Sequence, residues 1–494
     1  MKDNGKFDST PLVLKDSWVD SGREREGAIL SSIREAAKEL PDAYDFDKHF
    51  MKAKAYSDVY IGHSKDDTHL LIRGRPSLKG MEAKPLVIKE KTARGPQLQS
   101  NAGATGALKL PGNDAPKLVE YSAKIHHRIV FTEVGVTIAE VGSLAVALFA
   151  MADAARALFT LHRCGWVHRD ISVGNILVVD GVGKLTDVEY AKEERTMERH
   201  SGVRTGTLFF MSLEVESQSY RYDELTAGEL PEGRKAQNPS SRSTRDKATE
   251  AKRAKVLANV NNPSAAPSQP PASGPPPNAT VAVRDEGSVP FKHNPLHDFE
   301  ALVWVVIWIF VCSKFVKPET SAMSDKEWDS TLASHARFAK RLFREEGFRR
   351  DAMVTDGVLL RGFHTTLPQL LEPARELDAV RVDLIAQFVA VHKRRKQTKA
   401  QVPYENMINP DLYDKIIEVL ERLACRISES DMKINISAWA QQQKRMRGAE
   451  SVEEDGATQS RKQRKTRSGQ SATSAVPQSP RPRPATRSWT QSRQ

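Results

Sequence analysis

The stretch Val167-His168-Arg169-Asp170-Ile171-Ser172-Val173-Gly174-Asn175-Ile176-Leu177-Val178 concentrates the groups that could do chemistry. A carboxylate, Asp170, stands five residues before a carboxamide, Asn175, and a second carboxylate, Asp187, follows twelve residues after that. Phosphoryl transfer needs a carboxylate beside the attacking hydroxyl and oxygen ligands that hold Mg2+ on the phosphates. Asp170 on a loop can orient a hydroxyl and accept its proton. Asn175 and Asp187 offer hard oxygen donors, which suit a cation that keeps several waters. A His-Arg-Asp triplet alone arises easily by chance on a surface loop. The ordered set of helix, triplet, Asn, hairpin and Asp is far more specific.

The flanking sequence predicts the elements that must bring these groups together. Ser143 to Leu161 carries Leu144, Val146, Leu148, Phe149, Ala154, Leu158 and Leu161 at the spacing of an amphipathic helix. It stops at Cys164-Gly165, with glycine as the breaker. Asn175 to Val179, the turn Asp180-Gly181-Val182-Gly183 and Lys184 to Thr186 read as a hairpin that returns Asp187 to Asn175. Upstream, Pro11 to Lys15 reads as a strand. Glu24 to Leu40 reads as a helix whose buried face carries Ile29, Leu30, Ile33, Ala37 and also Glu26. His126 to Thr132 is strand-like, and helical periodicity runs from His297 to about Trp439. Residues 51–123 mix strand-like pieces at 58–61, 70–72 and 86–88 with Gly/Asn-rich stretches.

Composition bounds the rest. The 494 residues allow about three domains. The three cysteines, Cys164, Cys312 and Cys425, build neither a disulfide framework nor a CxxC site, which predicts a reducing compartment. The net charge of +11 is unevenly placed: Gly456 to Gln494 carries +9 and Arg234 to Lys255 carries +6. The remainder is mildly acidic, so the basic character belongs to two polar appendages and not to a nucleic-acid-binding fold. Residues 217–290, with seven prolines between Pro263 and Pro277, are expected to form a disordered insertion, and residues 441–494 a disordered basic tail. The longest apolar run, Ala301 to Cys312, is twelve residues, shorter than a bilayer span. The N-terminus lacks an apolar leader, so a cytoplasmic or nuclear protein away from membranes is expected.

With these residues in place, the sequence resembles the eukaryotic protein kinase fold, and most closely the fungal-type protein kinase family. Leu12-Val-Leu-Lys15-Asp-Ser-Trp18 resembles the strand with the phosphate-binding lysine, and Arg23-Glu-Arg-Glu26-Gly-Ala-Ile-Leu30 the helix with its glutamate partner. Thr205-Gly-Thr-Leu-Phe-Phe-Met-Ser-Leu-Glu214 resembles the end of the activation segment, and His293-Asn-Pro-Leu-His-Asp298-Phe-Glu300-Ala-Leu-Val-Trp304 the long central helix. The resemblance implies an α+β, two-lobed fold with a reduced N-lobe (1–135, interrupted by the insertion 51–123), catalytic and activation segments at 136–216, and a helical C-lobe at 291–440. It implies ATP and Mg2+ as cofactors and protein substrates as partners. Asp170 would be the base, within the motif of His168 and Arg169; Asn175 and Asp187 would hold the metal; Lys15, paired with Glu26, would hold phosphates. Glu133 and Val134 would bond adenine through their backbone, and Leu177 would floor its pocket. Asp298 would accept bonds from the catalytic-loop backbone, and Glu214 would pair with an arginine, for which Arg361 is the choice. Lys89 is a rival to Lys15.

The pattern also departs from the family. No glycine-rich loop precedes Lys15; only fourteen residues lie upstream, which leads to the expectation of a truncated N-lobe. Val188 and Glu189 stand where a Phe and a Gly follow the metal-binding Asp, and Ser172 stands where many Ser/Thr kinases have Lys. Asp187-Val-Glu-Tyr-Ala resembles the Asp-x-Glu sequence of choline and aminoglycoside kinases, so a small-molecule phosphotransferase stays open, as does a pseudokinase scaffold. Arg461-Lys-Gln-Arg-Lys-Thr-Arg467 resembles a nuclear localisation signal, which implies contact with an import receptor; a solvated disordered tail and weak nucleic-acid contact are the alternatives.

Overall fold

The computed structural model describes residues 2–3, 6–7, 11–40, 46–69, 123–196, 206–224, 251–256, 291–317, 321–345, 347–364, 370–429 and 434–435. Helix and sheet are mixed. Three antiparallel strands form the first sheet, in the order β1 (Val13–Asp20), β3 (Lys124–Phe131), β2 (Ala53–Asp58). Lys15 pairs with Ile129 in this ladder. Burial alternates along β1, so Lys15 shares the inward face with Val13, Ser17 and Val19 while Leu14, Asp16 and Trp18 face out. Helix α1 (Glu26–Lys38) packs its Ile29, Leu30 and Ile33 inward, with Glu26 buried on the same stripe.

The sequence expectation and the structure part at β2. An insertion was expected from residue 51, yet Ala53–Asp58 is an edge strand of this sheet, with a bulge between Ala53 and Ala55. Its sequence, Ala-Lys-Ala-Tyr-Ser-Asp, carries few of the residues that mark strands, and most of it is exposed. The strand-like pieces at 70–72 and 86–88, and Lys89, lie outside the described residues.

The helical part is built on two buried helices. In α3 (Leu144–Arg163) the Ser143 hydroxyl accepts a bond from the Val146 N–H, which caps the first turn. In α6 (Pro295–Cys312) the side chain of Asn294 accepts from Leu296 N–H, His297 completes a capping box, and Pro295 opens the helix. Both helices are long and apolar enough to cross a membrane, and both are instead buried in the fold, α6 throughout. Around them lie α7 (Asp325–Arg344), α8 (Phe348–Val354), α9 (Val358–His364), α10 (Leu371–Thr398) and α11 (Pro410–Ser428).

Between the two parts lie α2 (Phe46–His49) and the hairpin β5 (Ile176–Val179) and β6 (Val182–Leu185). Asp180 and Gly181 have φ of 48° and 78°, the left-handed pair of a tight hairpin turn. The ladder runs Ile176–Leu185 to Val179–Val182. The hairpin lies flat on α3: a Cβ on Gly183 would overlap the Ala150 backbone, with Ala150 Cα at 2.6 Å. Backbone cannot retreat as a side chain can. Gly183→Ala is therefore expected to cost about 1–3 kcal/mol by overpacking, measured by chemical denaturation.

Candidate functional site

Two backbone N–H groups on the loop His168–Asn175 are held from below by Asp298. Asp298 is in the first turn of α6 and is about 1% exposed. Its Oδ2 accepts from the His168 N–H at 2.6 Å and its Oδ1 from the Arg169 N–H at 2.9 Å. His162 Nε2 at 3.1 Å and His293 Nε2 at 3.0 Å complete its shell. Burial by itself would raise the Asp298 pKa, but these donors hold the carboxyl well below its usual range. The anchored loop puts Arg169 in the left-handed region, φ 71°. His168 is locked between the loop and the hairpin. Its Nε2 donates to the Thr186 carbonyl at 3.1 Å and its Nδ1 accepts from the Asp170 N–H at 3.3 Å.

The hairpin then closes the arrangement. The Thr186 N–H donates to the Asn175 carbonyl at 3.1 Å, so Asp187 is the next residue along from a backbone bond to Asn175. The Asn175 amide donates to the Asp170 carbonyl at 2.8 Å and to Asp170 Oδ2 at 3.1 Å. Asp187 is itself left-handed, φ 60°, and its Oδ1 lies 2.8 Å from Lys15 Nζ. Lys15 also lies 2.7 Å from Glu26 Oε2 and 3.8 Å from Glu189 Oε2. The structure thus gathers Asp170, Asn175, Asp187, Lys15 and Glu26 into one site, with Glu189 beside them.

Charge in the site is strongly perturbed. Burial lowers the Lys15 ammonium's pKa, but Glu26, then Asp187 and Glu189, overcome this and hold it above its ordinary value. Burial, with the nearby Asp187 charge, raises the carboxyls of Asp170 and Glu189. Burial also raises Glu26, whose Oε1 has no hydrogen-bond partner among the described residues. A set of oxygen donors around one lysine, with two carboxylates and a carboxamide, fits a hard divalent cation and phosphate oxygens. The carboxamide oxygen of Asn175 is free for this role among the described residues, because Asn175 bonds Asp170 through its nitrogen.

The other expected residues fall in different places. Glu133 side-chain oxygens meet the buried Lys184 at 2.9 Å and the Lys52 N–H at 3.0 Å. The backbone groups of Glu133 and Val134 have no backbone partner among the described residues. Leu177 is half-buried in β5, where a Cβ on Gly135 would come within 3.0 Å of it. Glu214 does not pair with Arg361. His297 Nε2 at 3.0 Å, His392 Nε2 at 2.8 Å and the Tyr222 N–H at 3.1 Å surround it. Burial would raise this carboxyl, and the histidine donors bring it down to about 2. The arginine nearby, Arg349, instead fastens the segment before Glu214. It donates to the carbonyls of Leu208, Phe209 and Met211 at 2.7, 2.9 and 2.5 Å, and to Glu216 at 2.8 Å.

Sequence reasoning missed Thr207 as an individual residue, although it lies inside the segment singled out. Its N–H and hydroxyl donate to Asp170 Oδ1 at 3.0 and 3.1 Å. It also missed Asp153. That residue is the only acid in α3, and an acid inside an apolar helix signals a buried partner.

The model of the fungal protein kinase family matches residues 3–310, more than half of the chain, a stretch that includes Lys15, Glu26, Asp170, Asn175, Asp187, Glu214 and Asp298. The chain belongs to the fungal protein kinase family. Comparison with the curated proteins gives no match. Residues beyond 310, which include the His392 and Arg349 contacts, lie outside the stretch matched.

Acid should loosen this fungal protein kinase family member through its buried histidines. Burial lowers His49, His293 and His335 to about 4. A histidine with a folded pKa below its unfolded value near 6.5 binds more protons when unfolded, so stability falls as pH drops from about 6.5 towards 4. At pH 5 each contributes a loss on the order of 2 kcal/mol. Thermal unfolding between pH 7.5 and 5 reads this directly, and His335→Gln should flatten the slope.

Proposed function

We propose that the chain transfers the γ-phosphoryl group of ATP to Ser or Thr hydroxyls of protein substrates. The observation that carries this reading is the union of Asp170, Asn175 and Asp187 at the open end of one hairpin, facing a Lys15–Glu26 pair. The arrangement reads as a two-lobed kinase-like fold: the sheet with α1 supplies Lys15 and Glu26, and the helical part supplies Asp170.

Each residue's part follows from its chemistry. Asp170 accepts the proton of the attacking hydroxyl, and burial lifts its pKa in the direction a base needs. Asn175 and Asp187 would hold Mg2+, which when bound neutralises phosphate charge. Lys15, released from Asp187, turns its ammonium to the phosphates while Glu26 keeps it in place. Glu133, Val134 and Leu177 line the link between the two parts, where adenine would lie.

Beside the site runs a groove of about 560 Å3 lined by Leu208, Phe209, Leu342, Phe343, Arg344 and Arg350, among others. It opens one residue past Thr207, which bonds Asp170. Protein substrates are favoured by the protein kinase family match; the groove's own lining is mixed, with Glu216 and Glu345 among its arginines. The second reading, a metabolite phosphotransferase, has one observation of its own: Glu189 stands within 4.0 Å of both Lys15 and Arg23. We also place the protein in the cytoplasm or nucleus, from its basic appendages and its three unpaired cysteines.

Incubation with labelled ATP, with a protein mixture in one arm and a metabolite panel in the other, separates the two enzymes. Mg-ATP should raise the melting temperature of the wild type and not of Asp187→Ala. Asp170→Asn should lower turnover at least about 100-fold and leave nucleotide affinity within about twofold. Unchanged turnover would refute the assignment of the base.

A further inference from the structure

The expected disordered insertion 217–290 holds a described segment at 251–256, which is helical and rests on the fold. Three of its six residues touch the body. Arg253 donates from Nη1 to Asp153 Oδ1 at 3.0 Å, from Nη2 to Asp153 Oδ2, and from Nη2 to the Gly181 carbonyl at 2.8 Å. Its guanidinium carbon lies 5.4 Å from the Phe149 ring centre. Val256, one turn on and on the same face, packs against the hydrophobic core. Lys252 reaches Glu429 at 2.9 Å on the exposed side.

Asp153 links this segment to the catalytic hairpin. It is about 1% exposed, and its Oδ2 accepts from the Gly183 N–H at 2.8 Å. Arg156 donates to its Oδ1 at 3.1 Å, but Arg156 is shared with Glu421. His49, a neutral neighbour, stands 3.8 Å away. Burial by itself would raise the Asp153 pKa; the Arg253 bonds and charge reverse this and keep the carboxyl below its usual value. Arg253 and Asp153 together therefore grip the turn and β6, one through the Gly181 carbonyl and the other through the Gly183 N–H. From the rung Val178–Gly183, two further rungs, Leu177–Lys184 and Ile176–Leu185, lead to the open end with Asn175 and Asp187.

We propose that Arg253 is a positioning residue: from the basic insertion it clamps Asp153 and the Gly181 carbonyl behind the hairpin, and so fixes how the hairpin presents Asn175 and Asp187. A bidentate fork is required, since one donor pair meets a carboxylate and a carbonyl at once. A lysine keeps the charge and loses the second contact. The consequence for nucleotide binding rests on the phosphotransfer reading above; the consequence for the hairpin does not.

The test uses the full chain as wild type, Arg253→Ala, Arg253→Lys and, as a control on the same segment, Lys252→Ala. Amide exchange over residues 176–186 should quicken about tenfold in Arg253→Ala, by less in Arg253→Lys, and not at all in Lys252→Ala. Exchange in α6 should stay at the wild-type rate. The dissociation constant for Mg-ATP, measured by calorimetry, should rise about tenfold in Arg253→Ala and recover in part in Arg253→Lys. Unchanged exchange at 176–186, or exchange raised equally throughout the chain, would overturn the clamp. Quickened hairpin exchange with unchanged Mg-ATP affinity would overturn the positioning role. If the wild type binds no Mg-ATP, the phosphotransfer reading fails, and hairpin exchange alone decides the clamp.

Discussion

Asn175 and Asp187 are neighbours because a four-rung ladder turns the chain back on itself, and the rest of the site is arranged around that return. The turn is tight because Asp180 and Gly181 take left-handed backbone. Side chains alternate along a strand, so a one-residue slip would reverse the faces of the whole hairpin. Flat contact of Gly183 with α3 and the pairing of Asp153 with the Gly183 N–H forbid such a slip. The site's geometry is thus set by backbone register, which is stiffer than any side-chain network.

Buried charge does the remaining positioning. Asp298 fixes the loop 168–175 through two backbone N–H groups, Glu214 fixes the end of the segment 206–214 through two histidines, and Arg349 ties that segment through three carbonyls. A buried ion with every lone pair satisfied adds little net stability over an apolar replacement, but removing one partner costs several kcal/mol. Such pairs define one arrangement strongly. By contrast, Lys15 has three carboxylates around it, an excess of negative charge that a divalent cation would offset.

Periodic features were legible in the sequence and long-range charge pairs were not. The hairpin could be read because a strand-like run meets a turn with glycine at the position that needs it. Glu26 could be read because it shares a helical stripe with Ile29, Leu30 and Ile33. For Asp298, position alone marked only an acid at a helix start; its bonds to the loop backbone were expected from the family resemblance. The partners of Glu214 come from two helices 83 and 178 residues away, and nothing in local spacing selects His392 over Arg361. Arg253 stood among many like charges, with no apolar period to set it apart. Ala53–Asp58 failed as a strand signal because an exposed edge strand needs little apolar surface.

The most direct measurement is a crystal structure with Mg2+ and a non-hydrolysable ATP analogue. The account predicts one metal within about 2.1 Å of oxygens from both Asn175 and Asp187, with the Lys15 ammonium moved from Asp187 onto the phosphates and still bonded to Glu26. A metal held elsewhere, or a nucleotide bound while Lys15 and Asp187 remain paired, would contradict it.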